Sequence, residues 1–302
     1  MKKLVSLFLV LALALSMTCA FAETEGKHVY IVTPYLTSVT TKDMADYIQG
    51  NLEAVGCTVT VIDTEGDTAT FASRIEDAVT ARADAIVIIS VDPEYCKLQI
   101  QEANEAGIPV FGCDAGYIDT MQMNATSDNY QIGQLITGYL FEKINYAGNI
   151  VVLTHRPHPG VVRRTEALDD MLKEYPDIHV LTEKHVEVPG PIESGKSLME
   201  SIILANPEAG SITAVWCGFD EPAIGATQAL QEAGRTDVIV TGVDANEQAV
   251  AMIQAGNTAL IATVRQDFVG MAKIVADEMI KVFNGEETVK GDFYAEAVII
   301  DK

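Results

Sequence analysis

Basic residues are scarce: 20 Lys and Arg stand against 43 Asp and Glu in 302 residues, for a net charge of −23. Such an anionic surface repels phosphate backbones and anionic headgroups, so no nucleic acid and no membrane surface is expected as a partner. Cysteine is sparse too. Past the N-terminal segment only Cys57, Cys96, Cys113 and Cys217 remain, with no CxxC or metal-type spacing. Cys113 and Cys217 fall in apolar, strand-like runs, so buried thiols are expected rather than a disulfide framework, and no metal site is expected. No GxSxG and no HExxH is present, and no phosphate-binding loop is read, which leaves no familiar catalytic motif to build on.

Long apolar runs are missing except at the start. Lys2 and Lys3 precede the apolar residues 4–15, and Ala20-Phe21-Ala22 follows at signal-peptidase spacing. Residues 1–22 are expected to be a secretory signal, too short to serve as a spanning helix of about 20 apolar residues. The residues before Cys19, Ser16-Met17-Thr18, lack the aliphatic and small residues of a lipoprotein cleavage box. A free exported protein beginning at Glu23 is expected, in the periplasm or at the cell surface. Loss of Lys2 and Lys3 takes its charge to −25.

The rest of the chain alternates two periodicities. Apolar or β-branched runs at 28–32, 58–62, 85–89, 109–113, 149–153, 179–181, 213–217, 238–241 and 261–264 read as strands. Segments with helical spacing lie between them, at 42–55, 71–81, 93–106, 130–144, 162–175, 195–205, 222–233 and 247–255. This alternation predicts an α/β fold with parallel sheets covered on both faces. An internal echo predicts two such sheets: Glu105-Ala106-Gly107 leads to Gly112-Cys113-Asp114-Ala115, and Glu232-Ala233-Gly234 leads to Gly242-Val243-Asp244-Ala245. Ligands of open parallel sheets bind beyond the carboxyl ends of strands, so Asp114 and Asp244 are expected at a ligand edge and, if the halves face each other, in one cleft.

A carboxylate accepts two coplanar hydrogen bonds, which suits vicinal hydroxyls; the plainer alternative is that both aspartates cap turns or helices. Arg163 and Arg164 open a helix where the dipole disfavours cations, so a ligand oxygen or a facing carboxylate is expected to compensate one of them. His155 and His158 flank Arg156-Pro157; proline denies them helical i, i+3 geometry, so contact with ligand or solvent is expected rather than metal. Trp216 lies in an apolar strand and reads as core, whereas Tyr35 and Phe219 each follow a strand and can present a ring to a cleft.

These residues, taken in order, resemble periplasmic sugar-binding proteins of the ribose-binding type, the solute receptors of ABC importers. The marks are Ile31-Val32-Thr33, Gly107-Ile108-Pro109-Val110 leading to Asp114, and Thr126-Ser127-Asp128-Asn129 followed by Gly133. They continue with Arg164, Asp220 before Ala223-Ile224-Gly225-Ala226, Gly242-Val243-Asp244, and Ala262-Thr263-Val264-Arg265-Gln266-Asp267. The resemblance implies two Rossmann-like lobes joined by three crossovers, near 126–128, 266–267 and 287–291, closing around a small ligand. It implies an N-terminal lobe of residues 28–126 with 267–289 and a C-terminal lobe of 128–266 with 291–302. It also implies ligand contacts at Thr33, Ser90, Asp114, Arg164, Asp220, Asp244 and Gln266, beside the rings of Tyr35 and Phe219.

The sequence departs from the family's pattern at Phe219, where Asn is frequent, at Ala115, where Arg is frequent, and at Ser90, in a position resembling an Asn. Fewer donors count against plain ribose or galactose, and the cluster His155, Arg156, His158, Arg163 and Arg164 raises a sugar acid beside neutral sugars and polyols. The resemblance further implies an ABC transporter permease as partner, a monomer, no cofactor and no enzymatic activity. The alternatives are a ligand-sensing subunit for a chemoreceptor or sensor kinase and, from the Asp114–Asp244 pair, an exported enzyme acting on small polyols.

Overall fold

The computed structural model describes residues 24–302, so the expected signal segment 1–22 and Cys19 lie outside the described residues. The chain builds two six-stranded sheets on one plan. The first uses β1 (His28–Thr33), β2 (Thr58–Asp63), β3 (Ala85–Ile89), β4 (Val110–Cys113) and β5 (Met123–Ser127) in the parallel order β2-β1-β3-β4-β5. The second repeats it with β6 (Gly148–Thr154), β7 (Ile178–His185), β8 (Ala214–Cys217), β9 (Ile239–Thr241) and β10 (Leu260–Gln266) in the order β7-β6-β8-β9-β10. In each sheet the winding reverses beside the first strand, which opens a crevice at its carboxyl end.

Helices cover both faces of each sheet. On the first, Met44, Ile48 and Leu52 of α1 (Val39–Ala54) recur one helical turn apart and pack with Val29, Ile31 and Val87. The opposite face takes Phe71 and Ile75 of α2 (Thr68–Thr80) and Ile100 of α3 (Lys97–Glu105). On the second sheet, α4 (Asn129–Lys143) and α5 (Pro159–Leu172) cover one face, and α6 (Pro191–Ala205) and α7 (Asp220–Glu232) the other. The α6–α7 pair approaches so closely that a Cβ on Gly225 would collide with the Ile192 carbonyl. Helices α8 (Glu247–Ala255) and α9 (Phe268–Phe283) complete the chain's ten-residue-scale alternation, α9 returning to the first sheet through Met271, Val275 and Met279.

Several boundaries differ from those read in the sequence. Residues 93–106 are not one helix: Pro93–Cys96 is a 3₁₀ turn capped by Asp92, and α3 begins only at Lys97. Strand β5, MNATS, alternates Met123 and Ala125 with Asn124 and Thr126 but has no β-branched apolar run, and was not anticipated. Nor were the terminal strands. β11 (Asp292–Ala295) runs parallel to β5 in the first sheet, and β12 (Ala297–Asp301) runs antiparallel to β10 in the second. The last crossing between sheets therefore falls at Glu296, not within 287–291, and residues 291–302 do not all join the second lobe. Among the described residues no helix is long and apolar enough to cross a membrane.

The octet Gly190–Ser197, GPIESGKS, spells the phosphate-loop pattern GxxxxGK(S/T), which the sequence reading passed over. It is not such a loop in the fold. Helix α6 already begins at Pro191, Lys196 pairs with Glu232 at 2.8 Å, and a Cβ on Gly195 would run into Pro222. Its amides are spent on the helix rather than turned toward a phosphate. The four cysteines are buried free thiols, and Trp216 is core, its Nε1–H donating to Thr137 Oγ1 at 3.0 Å.

Candidate functional site

Strand ends supply the site. Ser90 follows β3, Asp114 follows β4, and Asp244 with Ala245 follows β9, with φ values of 56°, 48°, 122° and 55°. Non-glycine residues at positive φ carry a conformational cost that surrounding contacts must offset. The offset is the same in both halves. The Asp114 amide donates to the Ala125 carbonyl of β5, and the Asp244 amide to the Val264 carbonyl of β10, each at 2.7 Å. Each bond turns an aspartate off its sheet toward the opposite half.

Between the halves lies a small, partly open cavity. Six residues expected from the sequence line it: Tyr35, Ser90, Asp114, Arg164, Phe219 and Asp244. Three others do not. Thr33 is wholly buried and accepts the Tyr35 amide, so it shapes the turn after β1. Asp220 is wholly buried as well; its Oδ1 accepts the Thr263 hydroxyl at 2.7 Å and its Oδ2 the Asn246 amide at 2.9 Å. It ties the loop after β9 to β10. Gln266 stands behind Asp244, donating from Nε2 to Asp244 Oδ1 at 2.7 Å, and lines an adjoining opening.

The sequence reading did not place Ser38, Thr41, Glu221 or Phe268 in the cavity, though all line it. Glu221 follows Phe219-Asp220 in the first turn of α7, a position whose orientation depends on how α7 meets β8. Polar contacts close the cleft from side to side. Glu221 Oε2 accepts the Ser38 hydroxyl at 3.3 Å, the Tyr35 hydroxyl meets His155 Nε2 at 3.3 Å, and His158 Nε2 lies 3.5 Å from Asp114 Oδ2.

These contacts fix the histidine tautomers. His158 caps α5, its Nδ1 accepting the Gly160 and Val161 amides, so the proton sits on Nε2 and faces Asp114. His155 Nδ1 meets the Val186 carbonyl at 2.9 Å, which leaves Nε2 to accept from Tyr35. Burial holds both imidazoles below their ordinary pKa, that of His158 far below, so both are neutral near pH 7. Burial pushes Asp114 and Glu221 up to about 7, and Asp244 up to about 6; the Asp244 charge adds to the rise at the first two, and Arg164 opposes it at both aspartates.

The basic cluster disperses. Arg156 pairs with Glu183 at 2.7 and 3.0 Å and with Asp169 at 3.1 Å; Arg163 pairs with Glu166 and lies over the Tyr130 ring. Arg164 alone brings positive charge to the cavity. Nearly fully buried, it donates from Nε to Asn129 Oδ1 and from Nη1 to the Gly218 carbonyl, both at 2.8 Å, and Nη1 lies 3.6 Å from Asp244 Oδ1. Of the cluster, His155, His158 and Arg164 line the cavity, while Arg156 and Arg163 pair with carboxylates away from it.

A sequence profile for the periplasmic binding protein domain matches residues 29–287. The chain belongs to that family. A D-apiose import binding protein of Actinobacillus succinogenes is 30% identical to this periplasmic binding protein, over 93% of this chain and 90% of the relative. A ribose import binding protein of Bacillus subtilis is 24% identical over 96% of each chain. Among solved structures, an ABC sugar transporter subunit of Rhodobacter sphaeroides superposes with a TM-score of 0.86 at 28% identity, covering 92% of this chain and 99% of that one. A solute binding protein of Agrobacterium vitis with bound allitol, 24% identical with a TM-score of 0.86, shares the fold over 92% of this chain and 96% of its own. The relatives with these names are binding proteins of importers, not enzymes, and this chain is a binding protein of the same two-lobed fold.

Proposed function

We propose that the chain is an exported receptor that closes around one small sugar or polyol and presents it, as a monomer, to the permease of an ABC importer. The observation that carries this reading is the pair Asp114 and Asp244, aimed into one cavity from equivalent strand ends of opposite lobes. Two carboxylates on facing walls suit a ligand with hydroxyls on both edges, and Phe219, Phe268 and Val161 offer apolar surface to its ring or chain. The printed names of relatives point the same way: D-apiose and ribose import, xylitol binding, and structures holding allitol or myo-inositol. The lobes divide at Asp128, Asp267 and Glu296, where the chain passes between the sheets, and these three positions form the hinge.

A thermal-shift screen of residues 23–302 against sugars, polyols, sugar acids and nucleosides tests the reading. A ligand at 100 times its dissociation constant adds about 2.7 kcal/mol, a shift readily seen. Saturable stabilisation by a sugar or polyol that is recovered unchanged is expected. Conversion of the ligand during incubation would overturn the receptor in favour of an enzyme.

A further inference from the structure

The charge lining the cavity is out of balance. Three carboxylates, Asp114, Glu221 and Asp244, face one guanidinium, Arg164, and every other lining side chain is neutral. That guanidinium serves the second lobe: it bonds Asn129 and Gly218 and leans on Asp244, which also receives Gln266. Asp114 and Glu221 hold no cation of their own. Asp114 has the neutral His158 beside Oδ2, while its Oδ1 is buried without a hydrogen-bond partner among the described residues. Glu221 receives only neutral donors, the Ser38 hydroxyl and the Val39 amide at the start of α1. The buried Gln266 Oε1 is likewise an acceptor without a donor.

The site therefore asks its occupant for donors and for positive charge. A neutral polyol supplies the first only. An unpaired buried carboxylate is costly, and a hydrogen bond between an ammonium and a carboxylate is about twice as strong as a neutral one. Resting on the receptor reading, the geometry points to an amino sugar or amino polyol as the ligand, its ammonium on Glu221 and a hydroxyl on Asp114 Oδ1. Glu221 is the better seat for the ammonium. It has no cation within ion-pair distance among the described residues, whereas Arg164 stands 3.6 Å from Asp244.

The test is calorimetric titration at pH 7.5 with matched probes: D-glucosamine against D-glucose, D-galactosamine against D-galactose, 1-amino-1-deoxy-D-sorbitol against D-sorbitol, an aminodeoxyinositol against myo-inositol, and D-glucuronate as the acid. In the skeleton that fits, the amino member is expected to bind at least about ten-fold tighter than its neutral partner, with no binding of the acid. Glu221→Gln is expected to bring the two members of that pair within about three-fold of each other. Glu221→Ala gives the same comparison if the glutamine variant does not fold. A neutral member that matches its amine, an acid that binds, or an amine preference that survives in Glu221→Gln overturns this inference and leaves the receptor reading standing. Failure of every probe to bind counts against both.

Discussion

Asp114 and Asp244 are the same residue in the same motif, yet they end in different electrostatic company. Each follows Gly-x, precedes Ala, sits at positive φ and donates its amide to the next strand. Asp244 then receives Gln266 and faces Arg164, all three from the second lobe. Asp114 receives nothing charged from its own lobe; Ala115 follows it, and its neighbours are the Thr126 hydroxyl and His158 from across the cleft. The difference teaches that the duplicated backbone sets where the carboxylates point, while the neighbouring strands and helices decide what they are worth. The second lobe holds a finished polar wall. The first becomes complete only when the cleft shuts.

Breaking the finished wall has the largest expected effect. Arg164→Ala strands Asn129, the Gly218 carbonyl and Asp244 in a buried site, so a stability loss of about 3–5 kcal/mol by denaturant unfolding is expected, together with loss of binding. Asp114→Ala touches the unfinished wall: the melting temperature should change little, whereas ligand affinity should fall by at least about 2 kcal/mol in calorimetry. Equal destabilisation by the two variants would erase the contrast between the lobes.

A pH series sharpens it. The ordinary carboxyl values lie near 4, and the closed protein raises Asp114 and Glu221 to about 7. Between those limits the folded chain holds protons that the unfolded chain has released, so stability falls as pH rises. The ligand-free melting temperature should thus be higher at pH 5.5 than at pH 8, and Asp114→Asn should flatten the slope; a steeper slope in that variant would refute the assignment. The smallest effects belong to the surface. Arg163→Ala is expected to change stability and binding by less than about 0.5 kcal/mol, since its exposed pair with Glu166 is screened by solvent.

Much of the fold was legible because its signals are local. AIVII in β3 and the four-residue spacing of Met44, Ile48 and Leu52 need no partner to be read. Three others were not: MNATS, DFYA and AVIID become strands through the neighbours they pair with. The same division runs through the site. The aspartates were visible because the motif repeats, whereas Glu221 lies one residue beyond an aspartate that looked the better ligand, and only the packing of α7 turns one inward to β10 and the other into the cavity. The arginines misled for a related reason. Proximity in sequence grouped Arg156, Arg163 and Arg164, and the loop before α5 and the turn of α5 itself sent them to three different surroundings.

The three crossings at Asp128, Asp267 and Glu296 have a mechanical consequence. Two of them enter a helix at once, Asp128 capping α4 through the Gln131 amide and Asp267 capping α9 through the Gly270 amide, and the third is a single residue between two paired strands. Three such short straps are expected to favour bending over twist and shear. On the proposed receptor reading, opening is expected to follow that single bend, as a door turns on three hinge knuckles rather than a ball joint.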